Sequence, residues 1–368
     1  MLRTSLTLLA ASAIATALPQ AVPATSTSSA PVFEIDGAKQ YFAGTNTWWL
    51  SHILSDDDVD RALAEIAASD LKVTRVWGFG NTNNGVDQPV YFQYLDNTTM
   101  TITINEGANG IPRLDSVVRS AEKHGVQLVL PMLNNWDDLG GINTYCNYFG
   151  CNKTTFWTDP GAQEAYKNYV SFIVQRYKDS PAIFSWQLAN EPRCPNCSTS
   201  VITKWAHDVS RLIKSLDPNT RVSLGDEGWL CGGEDYAYSC IEGIDFEANL
   251  NIPTLDYGTV HMYYDQWGYT SDWGNKWITD HAALAKKHGK PIVMEEYGVK
   301  STVSNQTEIL QQWHQTILDT DIAYDSFWQF ATDLTDRDPY DDYAIYYGTE
   351  LYNRVVIPHS KAMLAKLI

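Results

Sequence analysis

Short apolar runs alternate with amphipathic stretches along most of this chain, and that rhythm limits the folds open to it more than any other feature. The runs cover residues 41–49, 73–79, 126–133, 183–189, 221–225, 259–264, 291–297 and 326–330. They are rich in β-branched and aromatic residues, as parallel strands covered on both faces are. Between them the spacing predicts helices over 57–69, 114–124, 161–178, 200–216, 275–288, 306–319 and 360–367, with a weaker one over 241–249. Acids open the first helix, Asp159-Pro160 caps the third, and Asp217-Pro218 follows the fourth. Repeated β-then-α units argue for a parallel sheet, and eight of them for its closure into an α/β fold of the (β/α)8 TIM-barrel type. An open doubly wound sheet would favour a glycine-rich turn after the first strand, where this chain has Asn46-Thr47-Trp48-Trp49.

The chain opens Met1-Leu2-Arg3, turns apolar from Leu6 to about Leu18 and passes Ala15-Thr16-Ala17. A positive start, a short apolar core and a small-residue site predict a secretory signal peptide over 1–17. Residues 18–31, rich in Ala, Pro, Ser and Thr, read as a mature tail or propeptide, and 32–368 as one catalytic domain. No later run has the length of a membrane span, so the expectation is a secreted, extracellular protein without a membrane anchor. Acidic residues outnumber basic ones 44 to 26, a net charge of −18 that disfavours nucleic acid and anionic membranes and suits a neutral partner. Six cysteines in an exported chain predict disulfides, and their close spacing suggests the local pairs Cys146/Cys151, Cys194/Cys197 and Cys231/Cys240. Sequons at Asn97, Asn152, Asn196 and Asn305 fit the same secretory route.

In such a barrel, chemistry sits where the strands end. Strand two carries Arg75; strand three ends at Asn134-Asn135-Trp136; strand four at Asn190-Glu191-Pro192-Arg193; strand five at Asp226-Glu227. Strand six carries His261 and Tyr263, strand seven Glu295-Glu296-Tyr297, and strand eight Trp328. Strands four and seven thus offer carboxylates from nearly opposite sides. Two carboxyls about 5 Å apart are what a double displacement at a sugar carbon needs, one attacking carbon and one moving a proton. Alternation lets only one of Glu295 and Glu296 face the interior, and the flanking residues do not decide which. At any single position a structural role competes: a buried ion pair for Arg75, a core histidine for His261, core packing for the tryptophans. Recurrence of polar groups at the same end of at least five strands favours a site. Trp136, Trp229, Trp267, Trp273 and Trp328 lie at or after strand ends, where their faces could stack on sugar rings.

Asn190-Glu191-Pro192 after an apolar run, with Glu296-Tyr297-Gly298 about a hundred residues on, resembles glycoside hydrolase family five, a family of retaining barrel enzymes. Thr74-Arg75-Val76-Trp77, His261-Met262-Tyr263-Tyr264 and Phe327-Trp328-Gln329 fit the same family, and the resemblance runs from about residue 33 to the end. It implies Glu296 as nucleophile and Glu191 as acid/base, supported by Arg75, Asn190, His261, Tyr263 and Trp328. Within the family, Asn190-Glu191-Pro192-Arg193 followed by cysteines, Gly225-Asp226-Glu227-Gly228 and Glu295-Glu296-Tyr297-Gly298 resemble fungal and plant endo-β-1,4-mannanases. That likeness implies Arg193, Glu227, Trp136 and Trp267 as further sugar contacts. The partners implied are β-mannan polysaccharides and manno-oligosaccharides, met by a monomer. An endoglucanase or exo-β-mannosidase on the same scaffold is the alternative, and a noncatalytic carbohydrate-binding barrel a more distant one. The chain has no His-Glu-x-x-His, no paired Cys-x-x-Cys and no phosphate loop, so no cofactor or metal is expected.

Overall fold

The computed structural model describes residues 31–84, 89–335 and 337–368. The expected leader over 1–17, and all of the expected tail but Pro31, lie outside them. Eight parallel strands form one sheet: β1 (Phe42–Asn46), β2 (Val73–Arg75), β3 (Gln127–Pro131), β4 (Ile183–Gln187), β5 (Arg221–Ser223), β6 (Gly258–Met262), β7 (Ile292–Tyr297) and β8 (Tyr324–Phe327). Their order is β5-β4-β3-β2-β1-β8-β7-β6. The two ends of that order meet through Asp256 N–H to Val222 O (2.8 Å) and His261 N–H to Glu227 O (3.1 Å), so the sheet curls into a barrel.

Each strand is followed by a helix packed outside the barrel: α1 (Asp56–Ala68), α2 (Ile111–His124), α3 (Pro160–Tyr177), α4 (Ser200–Leu216), α5 (Phe246–Leu250), α6 (Trp273–His288), α7 (Gln306–Leu318) and α8 (Glu350–Ala365). Ser55 caps α1 by accepting from Asp58 N–H, and Asp159 caps α3 by accepting from Ala162 N–H ahead of Pro160. The last helix begins ten residues before the expected 360, because Pro358 lies inside it. A proline removes one helical N–H and leaves the carbonyl four residues back without its partner. Here that carbonyl is Arg354 O, and Gln311 Nε2 of α7 donates to it at 3.3 Å. Four features were not foreseen: a three-stranded sheet of Asn81–Thr82, Gln93–Asp96 and Thr101–Ile104, a helix over Ile142–Phe149, a hairpin of Phe33–Ile35 with Ala38–Gln40, and a parallel pairing of Phe330–Ala331 with Ile345–Tyr346.

The hairpin stoppers the barrel floor. Phe33 packs among Phe42, Phe184, Tyr257 and Tyr324, all at strand beginnings, with ring centroids 5.2–6.4 Å apart. A larger apolar layer lies between strands and helices. The cysteines pair as Cys146–Cys151, Cys194–Cys197 and Cys231–Cys240, all in connections that follow strand ends, with Cys146 on the helix Ile142–Phe149. Among the described residues no helix is long and apolar enough to cross a membrane.

Candidate active site

Above the aromatic floor the barrel interior turns polar. Arg75, the last residue of β2, is 1% exposed and spends its guanidinium on four side chains. Its Nε donates to Gln187 Oε1 (2.8 Å), Nη2 to Asn190 Oδ1 (2.7 Å), and Nη1 to both Glu296 Oε1 and Asn46 Oδ1. Tyr263 Oη donates to the other Glu296 oxygen at 2.7 Å. Arg75 is therefore both the buried ion pair that its burial demands and the support of a carboxylate in the cleft.

Glu295 and Glu296 both point inward, against the expectation from alternation. The β6–β7 register shifts between Val260 and His261, pairing Val260 with Met294 and His261 with Glu296, so that Glu295 is skipped. A bulge of this kind breaks the two-residue period. Glu295 turns below the site, where Gln187 Nε2 reaches both its oxygens at 2.8 and 2.9 Å and Arg75 Nε lies 3.4 Å away. Glu296 faces the cleft.

Glu191 reaches the cleft because the chain turns sharply after β4. Its φ is +49°, and its N–H donates to Gly225 O at 2.9 Å. Gly225 itself has φ +86°, and a side chain there would come within 1.9 Å of Ala189 O. Glu191 accepts from Trp136 Nε1 at 2.5 Å and pairs with His261 Nδ1 at 2.7 Å. One oxygen of Glu191 and one of Glu296 lie within 4.8 Å of each other, with His261 between the two carboxyls.

Burial pushes both carboxyls up. At Glu191 the His261 hydrogen bond and charge, with Arg193 and Trp136, outweigh burial and draw the group down to about 2. At Glu296 burial and the Glu191 charge prevail over His261, Arg75 and Tyr263, and the group stays above its ordinary value. His261 is lowered by burial but raised further by the glutamates around it, to about 10. The shifts of Glu191 and His261 thus run in opposite directions, and one hydrogen bond joins the two groups.

A cleft of about 860 Å³ opens over these groups. Of the residues singled out from the sequence, Trp136, Asn190, Glu191, Arg193, Glu227, Tyr263, Trp267, Glu296 and Trp328 line it. Arg75 and His261 lie beneath. Arg193 grips Glu227 with Nε (2.6 Å) and Nη2 (2.5 Å). Trp229 is instead buried under Trp267, with ring centroids 4.5 Å apart, and Trp273 packs on Tyr269 and Trp277; neither lines the cleft. Lining residues not foreseen include Trp48, Trp77, Tyr236, Lys300, Arg337, Asp341 and Tyr343. Asp341 accepts from Trp328 Nε1 at 2.8 Å. Gln187 had a readable signal, an amide inside an apolar run.

Asp226, beside Glu227, is buried among Asn249 and Thr259. Burial pushes its carboxyl up to about 7, against those bonds and the His261 charge. Between the ordinary 3.8 and that value the folded chain binds more protons than the unfolded one, so stability falls as pH rises through this window. Asp226→Asn is expected to match wild type near pH 4 and to melt several degrees higher at pH 8. Equal melting temperatures at both pH values would show that Asp226 carries none of this dependence.

Residues 149–331 match the family model described as GH family 5 β-mannosidase-like. The mannan endo-1,4-β-mannosidase A of Aspergillus aculeatus is 44% identical over 371 residues, covering 97% of this chain and 97% of its own. A probable mannan endo-1,4-β-mannosidase F of Neosartorya fischeri is 46% identical over 335 residues, covering 89% of this chain and 73% of its own. The endo-1,4-β-mannanase structure from Rhizomucor miehei superposes with a TM-score of 0.86 at 33% identity, covering 92% of this chain and 99% of that one. With identity of this level running through nearly the full length of both chains, the barrel and its carboxylate pair belong to a member of glycoside hydrolase family 5.

Proposed function

We propose that this protein is a retaining endo-β-1,4-mannanase that cleaves internal linkages of mannan, galactomannan and glucomannan. The observation that carries the mechanism is the approach of Glu191 and Glu296 to within 4.8 Å in one cleft. Retaining enzymes hold their carboxyls about 5–5.5 Å apart, whereas inverting ones leave room for a water between. The relatives' names support the substrate.

Glu296 attacks the anomeric carbon while the bond to the leaving oxygen breaks, and Glu191 delivers a proton to that oxygen. Arg75 and Tyr263 hold Glu296 as the attacking anion. The proton reaches Glu191 by a shift along its 2.7 Å bond from His261 Nδ1, which leaves His261 neutral and the net charge unaltered. Glu191, then ionised, takes a proton from water, and the oxygen of that water releases the sugar from Glu296. Asn190, fixed by Arg75 and Asn134, is set beside the reacting carbon. Trp136, Glu227, Trp267 and Trp328 line the cleft as sugar contacts, and Arg193 holds sugar on the leaving-group side. The protein acts outside the cell as a monomer, its catalytic domain spanning 32–368 after removal of a leader over 1–17.

Viscosity loss and reducing-sugar release on galactomannan and on carboxymethylcellulose test the reading. Rapid thinning of galactomannan alone is expected. Preference for the cellulose would keep the mechanism and overturn the substrate. Slow thinning with steady release of mannose would mark an exo-enzyme.

A further inference from the structure

Arg193 meets a second set of partners on the edge that Glu227 leaves free. Its Nη1 lies 3.4 Å from Tyr236 Oη and 3.5 Å from Glu242 Oε1, and Tyr236 Oη donates to that same Glu242 oxygen at 2.5 Å. Glu242 stands just past the loop closed by Cys231–Cys240. Its backbone is laid directly on the segment after Arg193. Cys194 N–H donates to Glu242 O at 2.8 Å, Asn196 N–H to Ile241 O at 3.3 Å, and a side chain on Gly243 would come within 2.2 Å of Cys194 O. The guanidinium plane is also flanked by Trp136 and Trp229, 5.1 and 5.4 Å from their ring centroids.

A free arginine side chain has many rotamers, and fixing one costs entropy each time a ligand binds. Glu227 alone fixes two of the three guanidinium nitrogens. Glu242 and Tyr236 fix the third, and the loop that carries them is itself fastened to the Arg193 segment.

We infer that Glu242, acting through Tyr236, is a positioning residue that holds Arg193 ready for the sugar on the leaving-group side. The inference rests on the mannanase reading above. Glu242 touches neither reacting carboxyl, so its loss acts on the binding of long substrates and spares bond cleavage.

Wild type, Glu242→Ala and Glu242→Gln would be compared on mannopentaose and on 4-nitrophenyl β-mannobioside, whose leaving group carries no sugar. Glu242→Ala is expected to raise KM for mannopentaose about three- to tenfold, the net effect of one ordinary hydrogen bond, with kcat held. Its kinetics on the nitrophenyl substrate should stay at wild-type values. Glu242→Gln keeps an acceptor for Tyr236 and should recover part of the loss. Unchanged KM for mannopentaose in Glu242→Ala would overturn the inference, as would an equal loss on both substrates with a lowered melting temperature. A wild-type enzyme inactive on both substrates would sink the mannanase reading instead, which keeps the two failures distinct.

Discussion

Glu296→Ala is expected to lower hydrolysis of β-mannan by at least ~10⁴-fold, the scale on which losing a covalent nucleophile acts, with the fold intact. The folded site does not need this carboxylate. Burial and the neighbouring Glu191 hold its charge at a cost, and Arg75 keeps Glu295, Gln187, Asn190 and Asn46 when Glu296 is gone. Its melting temperature should therefore stay within a few degrees of wild type. The space left beside Arg75 and Tyr263 suits a small anion. With an activated aryl mannoside, added azide should restore turnover and give the α-mannosyl azide, inverted relative to the substrate. Restored turnover with a β-product, or a variant that keeps its activity, would rule out Glu296 as the nucleophile.

Arg75 carries the second large effect, on stability and catalysis together. Arg75→Met leaves two buried glutamates without their arginine, a loss of about 3–5 kcal/mol by comparison with other broken buried pairs. Urea unfolding should register it as a lowered midpoint. Arg75→Lys separates the two roles. A lysine restores a point charge but cannot meet Gln187, Asn190, Asn46 and Glu296 in one plane. Misplacement of Glu296 and Asn190 should then lower kcat on the order of 10²-fold. Arg75 also draws the Glu296 carboxyl down, so a poorer cation lets it rise. The acid limb of kcat/KM should shift to higher pH in Arg75→Lys. A lysine variant with normal kcat and an unmoved limb would reduce Arg75 to a structural ion pair.

The barrel was legible because each strand is covered on both faces, which leaves continuous apolar runs that survive without any knowledge of their neighbours. The site was legible because Arg75, Glu191, His261 and Glu296 are polar groups placed where such runs end. What escaped depends on geometry that no local pattern records. The β7 bulge turns Glu295 and Glu296 the same way, and strand alternation forbids that. Pro358 sits mid-helix because a glutamine on another helix takes up its orphaned carbonyl. Trp229 and Trp273 occupy the strand-end positions of sugar contacts but fill the wall behind Trp267. Asp341 and Tyr343 come from the loop after β8, whose path across the cleft follows from packing.

The hairpin that stoppers the barrel floor also decides how the molecule can be attached to a surface. Phe33 enters at the strand beginnings, on the face opposite the cleft. A bead or fibre joined to the chain ahead of that residue therefore holds the barrel by its base and presents the cleft outward. Catalyst immobilised this way should keep access to polymer particles too large to enter a pore. Random coupling through surface lysines would instead turn part of the population face down, because Lys300 sits on the rim of the cleft itself.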